Sequence, residues 1–157
     1  MTTLHYRPAD PTDAAECVVL RGRTRENAIT EATLASLGIT TESWARGIAE
    51  GRLPGYVCTD DGMIVGYCFG DRDTGEIVVL AVLPRYEGRG IGRALLLQLV
   101  EVLQSFGHER LFLGCSSDSS HRSHGFYRHL GWRSTGSFDD NDDEVLELRR
   151  QDSVHKA

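Results

Sequence analysis

No Gly-Lys pair occurs in the sequence, which excludes a P-loop of the G-x-x-x-x-G-K-S/T kind. No C-x-x-C pair occurs either. Cys17, Cys58, Cys68 and Cys115 are widely spaced, which argues against a zinc site and a disulfide framework. Free buried thiols are expected, as in a reducing compartment. Long apolar runs are missing: none approaches the roughly 18 residues of a membrane span. The segment Met1-Thr2-Thr3-Leu4-His5-Tyr6-Arg7 has no signal-peptide core, so the cytoplasm is the expected location. Positive charge is short as well, with Lys and Arg at 17 against Asp and Glu at 23 and a net charge of −6. That disfavours nucleic acid as a partner, which needs a cationic surface. It mildly favours a cationic second substrate, although negative charge also simply keeps small proteins soluble.

What is present suits one compact domain. The chain has 157 residues, 40% hydrophobic and 25% charged, enough for a real core. A single domain is expected over 1–150, with 151–157 as a frayed tail. A short strand at 4–7 stops at Pro8. Asp10-Pro11-Thr12-Asp13 reads as a helix start, with an Asp cap and Pro in the first turn, and predicts a helix over 12–25. Short helices follow over 31–37 and 42–50, the second capped by Thr40 or Thr41 and ended by Gly51. Asp60-Asp61-Gly62 between β-rich runs predicts a hairpin. A turn at 71–75 then gives a meander of three strands. Cys58 and Cys68 fall on paired strands, yet the two-residue turn does not set them opposite each other. The apolar period predicts a helix over 90–106. A strand over 111–115, a helix over 121–130 closed by Gly131, and strands over 132–138 and 144–148 complete the chain.

The richest segment runs from Leu80 to Leu95. An apolar strand stops at Pro84, glycines follow at 88, 90 and 92, and a helix begins. Glycine brings no side chain, so another molecule can approach the backbone. The first-turn N–H groups of a helix lack internal acceptors and attract phosphate oxygens. A dinucleotide fingerprint needs G-x-G-x-x-G and an acid about 20 positions on. Here the spacing is G-x-G-x-G, and position 112 is Phe.

Glu87-Gly88-Arg89-Gly90-Ile91-Gly92 resembles the Gln/Arg-x-x-Gly-x-Gly/Ala loop of the GNAT superfamily of N-acetyltransferases. The preceding Leu-x-Val-x-Pro and the following Ala94-Leu95-Leu96 resemble it too, as does Phe126-Tyr127-Arg128-His129-Leu130-Gly131-Trp132. One departure is Glu87, where the family carries Gln or Arg; Arg85, Arg89 and Arg93 can offset its charge. The element order matches the family over almost the whole chain. The resemblance implies an α/β (α+β) fold: a mixed, mostly antiparallel sheet of about seven strands, flanked by helices and splayed between the fourth and fifth strands.

It also implies acetyl-CoA as cofactor and an N-acetyltransferase acting on a primary amine of a small molecule or peptide. Glu87, Gly88, Arg89, Gly90, Ile91, Gly92 and Arg93 would hold the diphosphate. The pantetheine amides would pair with backbone at Leu80, Ala81 and Val82, like an added strand. Ser120 stands where many members carry an Asn that touches the cofactor, though it also fits a Ser-rich helix cap. Tyr127 matches the tyrosine that reaches the cofactor sulfur; a core tyrosine would look the same. Glu76 matches the base that histone-type members carry at the start of this strand, and equally fits an exposed strand-entry acid. A base on the next strand would fall at Cys115, which argues against that version. His121 and His124 lack a third ligand, so no metal is expected. Trp44, Tyr56 and the acidic 139–143 turn are candidates for the acceptor side. The alternatives are a non-catalytic acyl-CoA-binding module, another acyl donor or a hydroxyl acceptor. A homodimer fits such families without being specified by any sequence feature.

Overall fold

A computed structural model describes residues 3–23, 31–36 and 38–150. Among the described residues seven strands form: β1 (Leu4–Pro8), β2 (Gly55–Asp60), β3 (Met63–Gly70), β4 (Ile77–Val82), β5 (Arg110–Cys115), β6 (Arg133–Phe138) and β7 (Glu144–Arg149). The helices are α1 (Ala14–Arg21), α2 (Glu31–Ser36), α3 (Thr41–Ala49), α4 (Ile91–Ser105) and α5 (Arg122–His129). The strands make two sheets, ordered β1-β2-β3-β4 and β5-β7-β6, with antiparallel pairing inside each. The sheets meet at one parallel bridge, Glu76 to Phe112. The expected splay between the fourth and fifth strands is therefore present.

Local chemistry explains the boundaries. Asp61 and Gly62 both take positive φ, at 53° and 81°, as a two-residue hairpin turn requires. The hairpin sets Cys58 opposite Gly66 and Cys68 opposite Tyr56, and all four cysteines are free and buried. The helix expected over 12–25 is shorter. A 3-10 turn at Pro11–Asp13, capped reciprocally by Asp10 and Asp13, leads into α1, which stops at Arg21. Residues 24 and 25, residue 37 and the expected tail 151–157 lie outside the described residues. Thr40 caps α3 in a box with Ser43.

Two apolar clusters sandwich the sheets. On one face Leu95, Leu96, Leu99 and Leu103 of α4 pack over Val65, Cys68, Leu111 and Leu113. On the other, Cys17, Val18 and Leu20 of α1 with Trp44 of α3 cover Tyr67, Phe69 and Ala81. Strand β3 is buried on both sides, so its sequence reads as continuous apolar residues. A Cβ at Gly66 would stand 3.1 Å from Ile91 and 3.3 Å from Leu95. Its absence lets α4 press against the sheet and aims the α4 N-terminus at the end of β4.

Candidate active site

The chain leaves β4 through a 3-10 turn, Pro84–Tyr86, and enters α4 through the glycines. Gly88 and Gly90 hold φ of 78° and 81°, the left-handed region that side chains disfavour. Gly90 is the N-cap and provides no side chain to cap the helix. The first helical bond runs from the Ala94 N–H to the Gly90 carbonyl at 3.1 Å. The amides of Ile91, Gly92 and Arg93 thus have no acceptor within the helix. A Cβ at Gly88 or Gly90 would meet nothing within 4 Å. The loop faces open space, and its chemistry fits a diphosphate.

The neighbouring edge of β4 is open. Leu83 donates to Val65 at 2.9 Å, and Ala81 pairs with Tyr67 in the same register. Antiparallel residues alternate between bonded and non-bonded pairs. Ala81 therefore spends its backbone groups on β3, while those of Leu80 and Val82 face the gap toward β5. Of the three positions expected to bind pantetheine, Leu80 and Val82 have backbone available for it. Ala81 contributes a buried side chain instead.

A cavity of about 1250 Å³ follows this gap. Leu80, Ala81, Val82, Glu87, Gly88, Gly90, Ile91, Gly92 and Arg93 line its cofactor side, and Glu76 and Tyr127 line it as well. Arg89 flanks the loop without lining the cavity. Ser120 is exposed and outside the wall; its hydroxyl donates to Asp118 at 2.7 Å. Trp44 lines the cavity, while Tyr56 packs against the core.

Tyr127 sits on α5 between Phe126 and Trp132, with ring centroids 5.1 and 6.1 Å away. Burial pushes its pKa up, and the nearby thiols of Cys68 and Cys115 act in the same direction. The phenol stays protonated and able to donate. Cys115 is also held protonated, chiefly by burial, so it is no base at neutral pH. Glu76 has its carboxyl pKa raised by burial and then by the charges of Asp71 and Asp139. That direction suits proton abstraction near neutrality.

Sequence reasoning did not single out the Asp139 arrangement. The Asp139 carboxylate receives the N–H groups of Asn141 and Asp143 at 2.9 and 3.0 Å. Its other oxygen lies 2.5 Å from where a Cβ on Gly114 would stand. The acidic turn is thereby seated over β5, and Asp139, Asn141 and Asp143 line the cavity near its Glu76 end. Only the clustering of acids was visible beforehand, without their seat on a glycine. Tyr86 was also missed; an aromatic between two arginines in a polar loop was the available signal.

Splayed sheets, an amide-lined loop and a cavity leading to a protonated tyrosine define an acyl-transfer fold. The family model described as acetyltransferase (GNAT) matches residues 23–132, and the chain belongs to that family. Over 65 residues it is 40% identical to glucosamine 6-phosphate N-acetyltransferase of Trypanosoma brucei brucei, a stretch covering 41% of this chain and 42% of that protein. Over 62 residues it is 40% identical to mycothiol acetyltransferase of Beutenbergia cavernae, covering 40% of this chain and 20% of that protein. The matched stretches thus span less than half the length of these curated relatives. PaiA N-acetyltransferase of Thermoplasma acidophilum, solved with coenzyme A, superposes with a TM-score of 0.77 at 18% identity, covering 94% of this chain and 99% of that one. YncA of Salmonella typhimurium, solved with acetyl-CoA, gives 0.71 at 20% identity and 94% of each chain. At such identities the likeness shows the fold. Among the described residues no helix is long and apolar enough to cross a membrane.

Proposed function

We propose that this chain transfers an acetyl group from acetyl-CoA to a primary amine of a small molecule or peptide, by direct attack in a ternary complex. One observation carries the reading. A single cavity joins the α4 amides and the open edge of β4 to Tyr127 and Glu76. Residues 1–150 are the one transferase domain in this reading, and four unpaired cysteines fit a cytoplasmic site of action.

Acetyl-CoA supplies an acyl carbon activated by a thiol leaving group. The amides of Ile91, Gly92 and Arg93 bind its diphosphate, and the backbone of Leu80 and Val82 pairs with its pantetheine amides. An amine of pKa ~10.4 arrives protonated. Glu76 accepts that proton, directly or through water, so the nitrogen lone pair can attack. A C–N bond forms and the C–S bond breaks. A backbone N–H on the open edge of β4, at Leu80 or Val82, stabilises the charge on the thioester oxygen. Tyr127 donates its proton to the departing sulfur, giving the free thiol, and is reprotonated by the second proton that the nitrogen loses as the amide forms.

A second reading, a module that binds acyl-CoA without turnover, is favoured by two departures: Glu87 in place of Gln or Arg, and the Ser120 hydroxyl engaged with Asp118. The test is thiol release from acetyl-CoA across amino acids, polyamines, aminoglycosides and peptide N-termini, with binding measured in parallel. Amine-dependent release supports transfer. Binding without release across the panel favours the second reading.

A further inference from the structure

We infer that Tyr86 is a positioning residue whose ring holds Arg85 and Arg89 beside the glycine loop, where the two guanidinium groups read the ribose 3′-phosphate of the cofactor. The inference rests on the proposal that coenzyme A occupies the cavity.

Between positions 84 and 89 Tyr86 alone is buried, with 7% of its surface exposed. The 3-10 turn brings this about, with the Tyr86 N–H donating to Leu83 and that of Glu87 to Pro84. The phenol reaches past β3 to the end of β2 and donates to Asp60 at 2.5 Å. The ring is thereby fixed at both ends, by its backbone turn and by its hydroxyl.

Arg85 and Arg89 lie on either side of it in sequence and return to the same ring. Their guanidinium carbons stand 5.4 and 4.9 Å from its centroid. Arg89 also donates to the Arg85 carbonyl at 3.4 Å. Two like charges gathered on one ring repel each other, and among the described residues neither is in an ion pair. The negative ring face offsets part of the repulsion, and a bound anion offsets more. Over positions 83–93 there are three arginines and one acid, Glu87. Planar guanidinium groups suit phosphate oxygens.

The ligand phosphate follows from where the arginines are. The α4 amides face the cavity and take the diphosphate. Arg85 and Arg89 are exposed and lie outside the cavity wall. Coenzyme A carries one further phosphate, on the ribose, outside the diphosphate; the arginines are opposite to it in charge and stand outside the wall that takes the diphosphate.

Calorimetric binding of coenzyme A and of 3′-dephospho-coenzyme A tests this. Wild-type protein is expected to prefer coenzyme A by roughly tenfold, as charge-assisted hydrogen bonds to one phosphate allow. Arg85→Ala/Arg89→Ala and Tyr86→Leu are expected to bring the ratio near one, and Tyr86→Phe, which keeps the ring, to fall between. A purely structural Tyr86 would weaken both ligands alike and leave the ratio standing. Equal wild-type affinity for the two ligands, or an unchanged ratio in variants with native circular dichroism, overturns the inference while the transferase reading stands. Wild-type binding of neither ligand overturns both. If Tyr86→Leu does not fold, Tyr86→Phe and the double arginine variant, altered only at exposed side chains, decide the question.

Discussion

Phe112 donates its backbone N–H to the carbonyl of Gly75 at 3.2 Å, immediately before Glu76 bridges to Phe112 and the two strands part. From Glu76 onward the edge of β4 faces the cavity, and β5 turns to β7 for its hydrogen bonds. Glu76 therefore stands at the closed apex of the splay. Low hydration there raises its carboxyl pKa, and Asp71 and Asp139 raise it further. The α4 amides stand at the opposite, open end. In the proposed complex an extended ligand anchored at the loop would point its far end at Glu76.

Glu76→Gln tests the apex in two ways. As a base, Glu76 works only when ionised, so kcat/KM is expected to rise with pH through a midpoint above the ordinary carboxylate range. The variant should lose that acidic limb along with most of its rate, roughly 10²-fold or more. Stability moves the other way. A carboxyl whose folded pKa lies above its unfolded value stabilises the fold below the unfolded pKa and loses that contribution as pH rises through the folded one. Glu76→Gln is therefore expected to melt higher than wild type at pH 7. The gain should vanish at pH values below about 4, where both states hold the proton. A wild-type pH–rate profile in the variant would remove Glu76 from the mechanism.

Tyr127→Phe keeps the ring between Phe126 and Trp132 and removes only the hydroxyl. The raised pKa keeps that hydroxyl a donor across the working pH range, and a thiolate whose conjugate thiol has a pKa of ~8.5 benefits from it. Turnover is expected to fall by about 10²-fold, with the Kd for coenzyme A changed less than about threefold. Steady-state rates beside a binding titration separate the two effects. Equal losses in both would make Tyr127 a wall of the cavity and nothing more.

Much of this architecture is legible in the sequence. Gly88, Gly90 and Gly92 announced the loop because positive φ and close backbone approach leave few alternatives to glycine. Asp61-Gly62 announced its hairpin for the same reason. Periodicity placed α4, since a helix with one buried face repeats its leucines. The end of α1 was not legible even though Gly22 follows Arg21 as its C-cap, because that glycine keeps a right-handed φ of −83° and not the left-handed turn that marks a helix stop. Nor was the unequal use of Leu80, Ala81 and Val82, which depends on the β3–β4 register. The seat of Asp139 on Gly114 brings together residues 25 positions apart, and no local spacing encodes such a contact.

Gly90→Ala probes the mouth of α4. Its φ of 81° costs an L side chain roughly 1–2 kcal/mol. Nothing lies within 4 Å of the new methyl, so crowding adds no further cost to the fold. That methyl does project into the space assigned to the diphosphate. Chemical denaturation is expected to show the modest stability loss, and calorimetry a larger one, about tenfold or more, in affinity for coenzyme A. A stability loss with unaltered affinity would place the diphosphate somewhere other than the loop.

Gly114→Ala separates the acceptor side from the cofactor side. The added methyl would stand 2.5 Å from the Asp139 carboxylate and 3.4 Å from the Asp143 side chain. Asp139 cannot swing away cheaply, because its carboxylate holds the N–H groups of Asn141 and Asp143. The whole 139–143 turn must therefore lift off β5. Lifting it carries two acids away from the Glu76 end of the cavity and relieves part of the repulsion that raises the Glu76 pKa. KM for the amine is expected to rise several-fold, while the Kd for coenzyme A, set at the far end by the α4 amides, moves little. The acidic limb of the kcat/KM profile should shift to lower pH, because one of its two charge contributions weakens. An unmoved limb with an unmoved amine KM would mean that the turn over β5 plays no part in acceptor binding.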